Sequence, residues 1–134
     1  MSDEDRVGRL EGASIEAAQE GLKALLILNG GACIALLGFV ATTISQPEAS
    51  ATYRPLIRGM MKSLVSFSVG AGLSVLTSMF AYLTNQAYVA ALEGPDKYSW
   101  AAGQWWNNVA VMTALLSLVA FFVGVSLIWQ SAPA

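Results

Sequence analysis

The sequence predicts an all-α integral membrane protein, a three-helix bundle whose long helices protrude on the N-terminal face. Three observations lead there. Apolar residues make up 55% of the 134-residue chain and charged residues only 12%, about half the charged share of an ordinary soluble domain. The charges are also confined. Apart from the Cys33 thiol nothing ionisable stands between Ala24 and Pro47, and nothing but tyrosine between Ser63 and Leu92 or from Tyr98 onward. Each of these runs exceeds the roughly 20 residues that a helix needs to cross about 30 Å of hydrocarbon.

Residues 1–13 read as an acidic tail, and residues 14–130 as one membrane domain with helices at about 14–45, 57–92 and 98–129. Residues 131–134 form an uncharged tail. Residues 1–23 carry six acids (Asp3, Glu4, Asp5, Glu11, Glu16, Glu20) against Arg6, Arg9 and Lys23. A cleavable signal needs a basic start, so the first apolar run is expected to be a retained anchor. From Ser14 onward Ile15, Ala18, Leu22 and Leu25 recur at helical spacing, with Glu16, Gln19, Glu20 and Lys23 on other faces. That pattern predicts an amphipathic helix continuing into the membrane segment. Gly8, Gly12 and Gly21 weigh against it by about 1 kcal/mol each.

Pro47 and the Ser45–Ala51 cluster end the first helix, and Gly94-Pro95 ends the second. A second helix of some 35 residues would be roughly 50 Å long, longer than the bilayer requires. The overhangs share a side. Residues 14–23, Thr84-Asn85-Gln86 and Gln104-Trp105-Trp106-Asn107-Asn108 all emerge on the N-terminal face. Tyr98, Trp100, Trp105, Trp106 and, at the far end, Trp129 suit the interfacial belts in which amphipathic rings collect.

Two sets of residues are candidates for function. The first is small-residue stripes, which let membrane helices approach closely where lipid supplies no hydrophobic drive. Helix 2 has Gly59, Ser63, Ser66, Gly70, Ser74, Ser78 and Ala81. Helix 1 has Gly31, Ala35, Gly38 and Thr42, and helix 3 has Ala110, Thr113, Ser117, Ala120 and Gly124. The second is a polar layer. Asn29 interrupts the first apolar run, and the matching depth on the other helices falls near Ser78 to Asn85 and near Asn107 to Val111, with Thr84 or Asn85 and Asn107 or Asn108 as the partners within reach. A buried amide without a partner is costly, so these groups are expected to pair and fix the helix register.

Several classes of chemistry have no residues to carry them. The chain has no histidine and one cysteine, hence no His-based triad, no imidazole-bound haem or zinc and no internal disulfide. No acid or base falls at mid-membrane, where ion-coupled carriers place them. Gly70-Ala71-Gly72 lacks the Lys-Ser/Thr of a phosphate loop. The expectation is a non-enzyme without cofactor or metal. The net charge of −2 gives no reason to expect nucleic-acid binding.

The segment Leu25-Leu26-Ile27-Leu28-Asn29-Gly30-Gly31-Ala32, following an amphipathic helix, resembles a Leu-Asn-Gly-Gly-Ala stretch in uncharacterised small proteobacterial membrane proteins. The likeness covers about residues 14–43, implies a bacterial inner membrane and implies no function. Two functional readings follow from the residues. One is an accessory or scaffold subunit that packs against a membrane partner or a second copy of itself. The other is a holin-like or channel-forming oligomer, though the charged C-terminal tail usual in holins is missing. Binding of lipid or a hydrophobic ligand between the helices is a third possibility. Basic residues are nearly balanced between the two faces, Arg6, Arg9, Lys23 and Lys97 against Arg54, Arg58 and Lys62. The larger polar mass on the N-terminal face, with no cleavable signal expected to export it, inclines the N-terminus toward the cytoplasm.

Overall fold

The computed structural model describes residues 3–46, 53–94 and 97–131. They form three helices, α1 (Asp3–Ile44), α2 (Arg54–Glu93) and α3 (Lys97–Ser131), and no strand occurs among the described residues. Each helix contains a span long and apolar enough to cross a membrane: Ile15–Ile44, Arg54–Leu92 and Trp100–Ser131. Pro47 and Pro95, read as helix stops, and the tail beyond Ser131 lie outside the described residues.

Helix α1 starts at Asp3, so most of the segment that composition assigns to a tail is helical. The reason is cooperativity. Once a membrane helix exists, each added residue gains a hydrogen bond without a new nucleation cost, and isolated glycines do not stop it. Helix α2 begins at Arg54, three residues before the expected start, because Pro55 sits in its first turn, where the missing N–H is not needed. No side chain caps that end; the Tyr53 carbonyl accepts the Ile57 N–H at 2.9 Å. At the other end Gly94 leaves the helix in an extended conformation.

Helices α2 and α3 make the most extensive interface, an antiparallel hairpin, and α1 lies mainly on α2. The seam of the hairpin follows a 3.5-residue period. On α3, Gly103, Ala110, Thr113, Ser117 and Gly124 are buried, with Trp106, Ala120 and Leu127 half-buried between them. On α2 the series is Gly59, Ser63, Phe67, Gly70, Ser74, Thr77, Thr84 and Ala91. A period of 3.5 keeps one face on the partner along the full length, the pattern of left-handed membrane coils.

Glycine on one helix admits a bulky group from another at three levels. A Cβ on Gly124 would stand 2.6 Å from Phe67 Cε1, and one on Gly103 would stand 2.5 Å from Tyr88 Cε1. A Cβ on Gly70 would overlap the side chain of Asn29. Below that last level Leu36, Val40, Met60 and Phe67 close a compact apolar core, with Phe121 tilted against Phe67 at 5.5 Å.

The distribution of polarity is the inverse of a soluble fold. Asn29, Ser63, Ser74, Thr77, Thr113 and Ser117 are buried, whereas Ile27, Ile34, Val65, Phe122 and many other large apolar side chains face outward. Such a surface is matched to hydrocarbon, and the interior is held by close packing and hydroxyl hydrogen bonds. The chain is an integral membrane protein of three helices.

Candidate functional site

Three of the buried polar residues, one from each helix, meet in one cluster, while Thr43, Ser63, Thr77, Thr84 and Thr113 return their hydroxyls to their own helices. Asn29 is 0% exposed, Ser117 0% and Ser74 2%. Asn29 Nδ2 donates to the Leu25 carbonyl at 3.1 Å and to Ser117 Oγ at 3.3 Å. Ser117 Oγ donates to the Gly70 carbonyl at 2.8 Å, and its oxygen lies 2.8 Å from Ser74 Oγ. Ser74 Oγ also lies within donating distance of the Gly70 carbonyl, at 3.1 Å. In one proton order that satisfies the set, Ser74 and Asn29 donate to Ser117, and Ser117 donates to Gly70. The Ser117 hydroxyl then uses its one donor and both acceptor sites. The alternative amide orientation would set Asn29 Oδ1 against the Leu25 carbonyl, two acceptors facing each other, so the orientation is fixed.

Asn29 Oδ1 is buried and has no hydrogen-bond partner among the described residues. It rests against Gly70, and the missing Cβ is what admits it. Glycine at this position serves close approach rather than a special backbone angle, since φ is not positive here.

The cluster sits at mid-depth. Asn29, the Gly70–Ser74 turn and Ser117 each lie within about a turn of the centre of their own span. Trp105 and Trp129, both exposed, stand twelve residues to either side of Ser117, about 18 Å each way at 1.5 Å per residue. Lys62, exposed, is likewise twelve residues from Ser74. Interfacial rings and a lysine at equal heights bracket a hydrocarbon layer of about 30 Å with the cluster in its middle plane.

This depth revises the expected polar layer. Asn29 meets Ser117 and Gly70, not Thr84, Asn85, Asn107 or Asn108. Thr84 is buried but returns its hydroxyl to the Phe80 carbonyl at 2.9 Å, and Asn85, Asn107 and Asn108 are exposed. Lys23 was the wrong marker. It lies six residues from Asn29, inside the span rather than at its edge, so depth counted from it runs about two turns too shallow.

The small residues divide into two groups. Gly70, Ser74, Ser117 and Gly124 lie in the bundle interior, and Ser66, beside the seam, donates to the Ala120 carbonyl across the hairpin at 2.7 Å. Ser78 is exposed, with its hydroxyl turned back to the Ser74 carbonyl at 3.3 Å. Gly31, Ala35 and Gly38 are exposed on the outer side of α1, and neither glycine has a neighbouring atom within 4 Å of its missing Cβ. The face of α1 that packs in the chain is Asn29, Leu36, Val40 and Thr43, joined by Cys33, whose Sγ lies 3.5 Å from Ser68 Oγ.

Phe67, Thr77 and Thr84 are seam residues that a small-residue pattern does not pick out. Their 3.5-residue spacing with Gly70 and Ser74 is the signal that finds them. At the N-terminal-face end of the hairpin Phe80 stacks on Trp106 at 5.7 Å, and Tyr88 tilts against Trp100 at 5.4 Å. Among the described residues no group of three metal-ligating side chains converges.

The fold and the cluster define a class, the three-helix membrane protein with a hydroxyl-amide clamp at its centre. No protein-family model, curated protein or solved structure matches the chain.

Proposed function

We propose that this protein is a small interaction subunit of a bacterial inner membrane, with its N-terminus in the cytoplasm, and that it acts by helix packing rather than by catalysis. One observation carries the reading. The outer face of α1 presents Gly31, Ala35, Gly38 and Thr42, all exposed, and none of the described residues covers it. Within the bundle every small surface on the seam is occupied by a neighbour. A second small surface turned toward lipid lets another helix come equally close, and lipid chains gain nothing comparable from it. The occupant is a second copy of the chain or a membrane partner.

The permeabilising alternative has to work through several copies. Leu36, Val40, Met60 and Phe67 fill the half of the bundle beyond the cluster, so a single chain offers no path through its own centre.

Purification in a gentle detergent tests the proposal. A defined oligomer or a stoichiometric complex is expected, and Gly38→Leu should weaken it by about tenfold or more, equivalent to about 1.4 kcal/mol. Val119→Leu, on the exposed side of α3, should leave it intact. A lone monomer from the wild type, or a Gly38→Leu protein that associates normally, would overturn the reading.

A further inference from the structure

On the N-terminal side of the cluster the bundle is open. Residues 15–28 of α1 are exposed or half-buried, and α1 stands away from the hairpin with a cleft on each flank. The cleft between α1 and α2 has a volume of about 410 Å³, and its walls include Gln19, Lys23, Ser74, Ser78, Tyr82 and Asn85. The companion cleft, about 480 Å³, is faced largely by alanine and leucine, among them Ala18, Leu25, Ala110, Ala114 and Leu118.

We propose that the α1–α2 cleft is a water-filled vestibule that brings solvent from the N-terminal face down to Ser74, at the centre of the membrane, from that side only. Polar groups run the length of the cleft between apolar Leu22, Leu26, Val75 and Ala81. Helix α2 offers Ser74, Ser78, Tyr82 and Asn85, one polar group per turn, and α1 adds Gln19 and Lys23 one turn apart. Polar side chains at membrane depth face a bundle interior or water, and these two rows face each other across open space.

Lys23 is the one charged side chain among the residues that line the cleft. It lies six residues from Asn29, about 9 Å along the helix, inside a hydrocarbon half-thickness of about 15 Å. It pairs with Glu20 at 2.8 Å, and both side chains are about two-thirds exposed. The pair lies at the mouth side of the cleft, where the Lys23 head can reach water through the cleft or by extending toward the N-terminal face, and away from acyl chains. The floor of the cleft is Ser74, which belongs to the buried network and neighbours the amide whose Oδ1 lacks a donor. Beyond it the core of Leu36, Val40, Met60 and Phe67 closes the way to the opposite face.

Thiol accessibility tests this in membranes. In a Cys33→Ala background, single cysteines replace Asn85 at the mouth, Ser78 within the cleft, and Met112, an exposed α3 residue at the depth of Ser78. A charged, membrane-impermeant methanethiosulfonate is added from each side. Charged reagents and thiolates are excluded from hydrocarbon, so Ser78→Cys should react within about tenfold of Asn85→Cys and more than about tenfold faster than Met112→Cys. Both cleft positions should react from the same side, and the reactivity of Asn85→Cys confirms insertion. A Ser78→Cys rate within tenfold of Met112→Cys, as expected if an acyl chain fills the cleft, would overturn the vestibule. So would reaction of Ser78→Cys from the opposite side.

Discussion

Gly70→Leu is expected to separate α1 from the hairpin and to cost at least about 3 kcal/mol of bundle stability, the upper range for overpacking a close contact. A side chain at residue 70 must occupy the space of the Asn29 amide. The backbone of α2 cannot yield without disturbing the seam with α3, so α1 has to move. That displacement breaks the Asn29–Ser117 bond and exposes the Ser117–Gly70 bond. Reversible denaturation in mild detergent measures the loss. Adding Asn29→Gly to Gly70→Leu should recover part of it, because it removes the side chain that is struck. Equal destabilisation in the single and double variants would mean that the contact is not the cause. Insertion should be unaffected, since no span loses hydrophobic length.

Phe67→Ala is expected to cost about 2 kcal/mol by the same measurement. In a soluble core the same truncation costs about 3–5 kcal/mol. Part of that is transfer from water, a term that falls away when the unpacked side chain goes to lipid. What remains is the cavity. Phe67 is 2% exposed and fills the notch left by Gly124 while resting on Phe121. Val65, on the lipid-facing side of the same helix, provides the comparison, and Val65→Ala should change stability by less than about 0.5 kcal/mol. Equal costs at the two positions would show that residue 67 is not packed as described.

Much of the architecture is legible in the sequence, because long uncharged runs leave few alternatives to membrane helices. The importance of Asn29 is legible as well: it is the one amide in its run. Its partners are not, because nothing local in a sequence reports the relative height of helices that overhang the membrane by different amounts. Lys23 marks a membrane edge by composition, yet it lies inside the apolar span Ile15–Ile44, beside a cleft of mixed polar and apolar lining. The paired tryptophans are the better ruler, with Trp105 and Trp129 equally spaced about Ser117.

The stripes show a second limit. On α2 small residues and seam residues coincide at Gly59, Ser63, Gly70 and Ser74, but diverge where Phe67 replaces Ser66 and Thr77 replaces Ser78. Small size alone cannot separate a buried serine such as Ser74 from an exposed one such as Ser78. The 3.5-residue period does so. On α1 the small stripe and the packed face are on opposite sides of the helix, which composition cannot show. That separation is what gives the outer face a role beyond the chain's own core.

The most direct test of the central claim, that a hydroxyl-amide cluster at mid-membrane clamps α1 to the hairpin, is a double-mutant cycle between Asn29 and Ser117. Asn29→Ala, Ser117→Ala and the pair are compared by reversible denaturation in detergent. Interhelical hydrogen bonds in membranes average about 0.6 kcal/mol and reach about 1.7. Full burial of both side chains, and the bond from Ser117 on to the Gly70 carbonyl, place this pair toward the upper end, so a coupling of about 1 kcal/mol or more is expected. Additive losses, with no coupling between the two positions, would contradict the clamp.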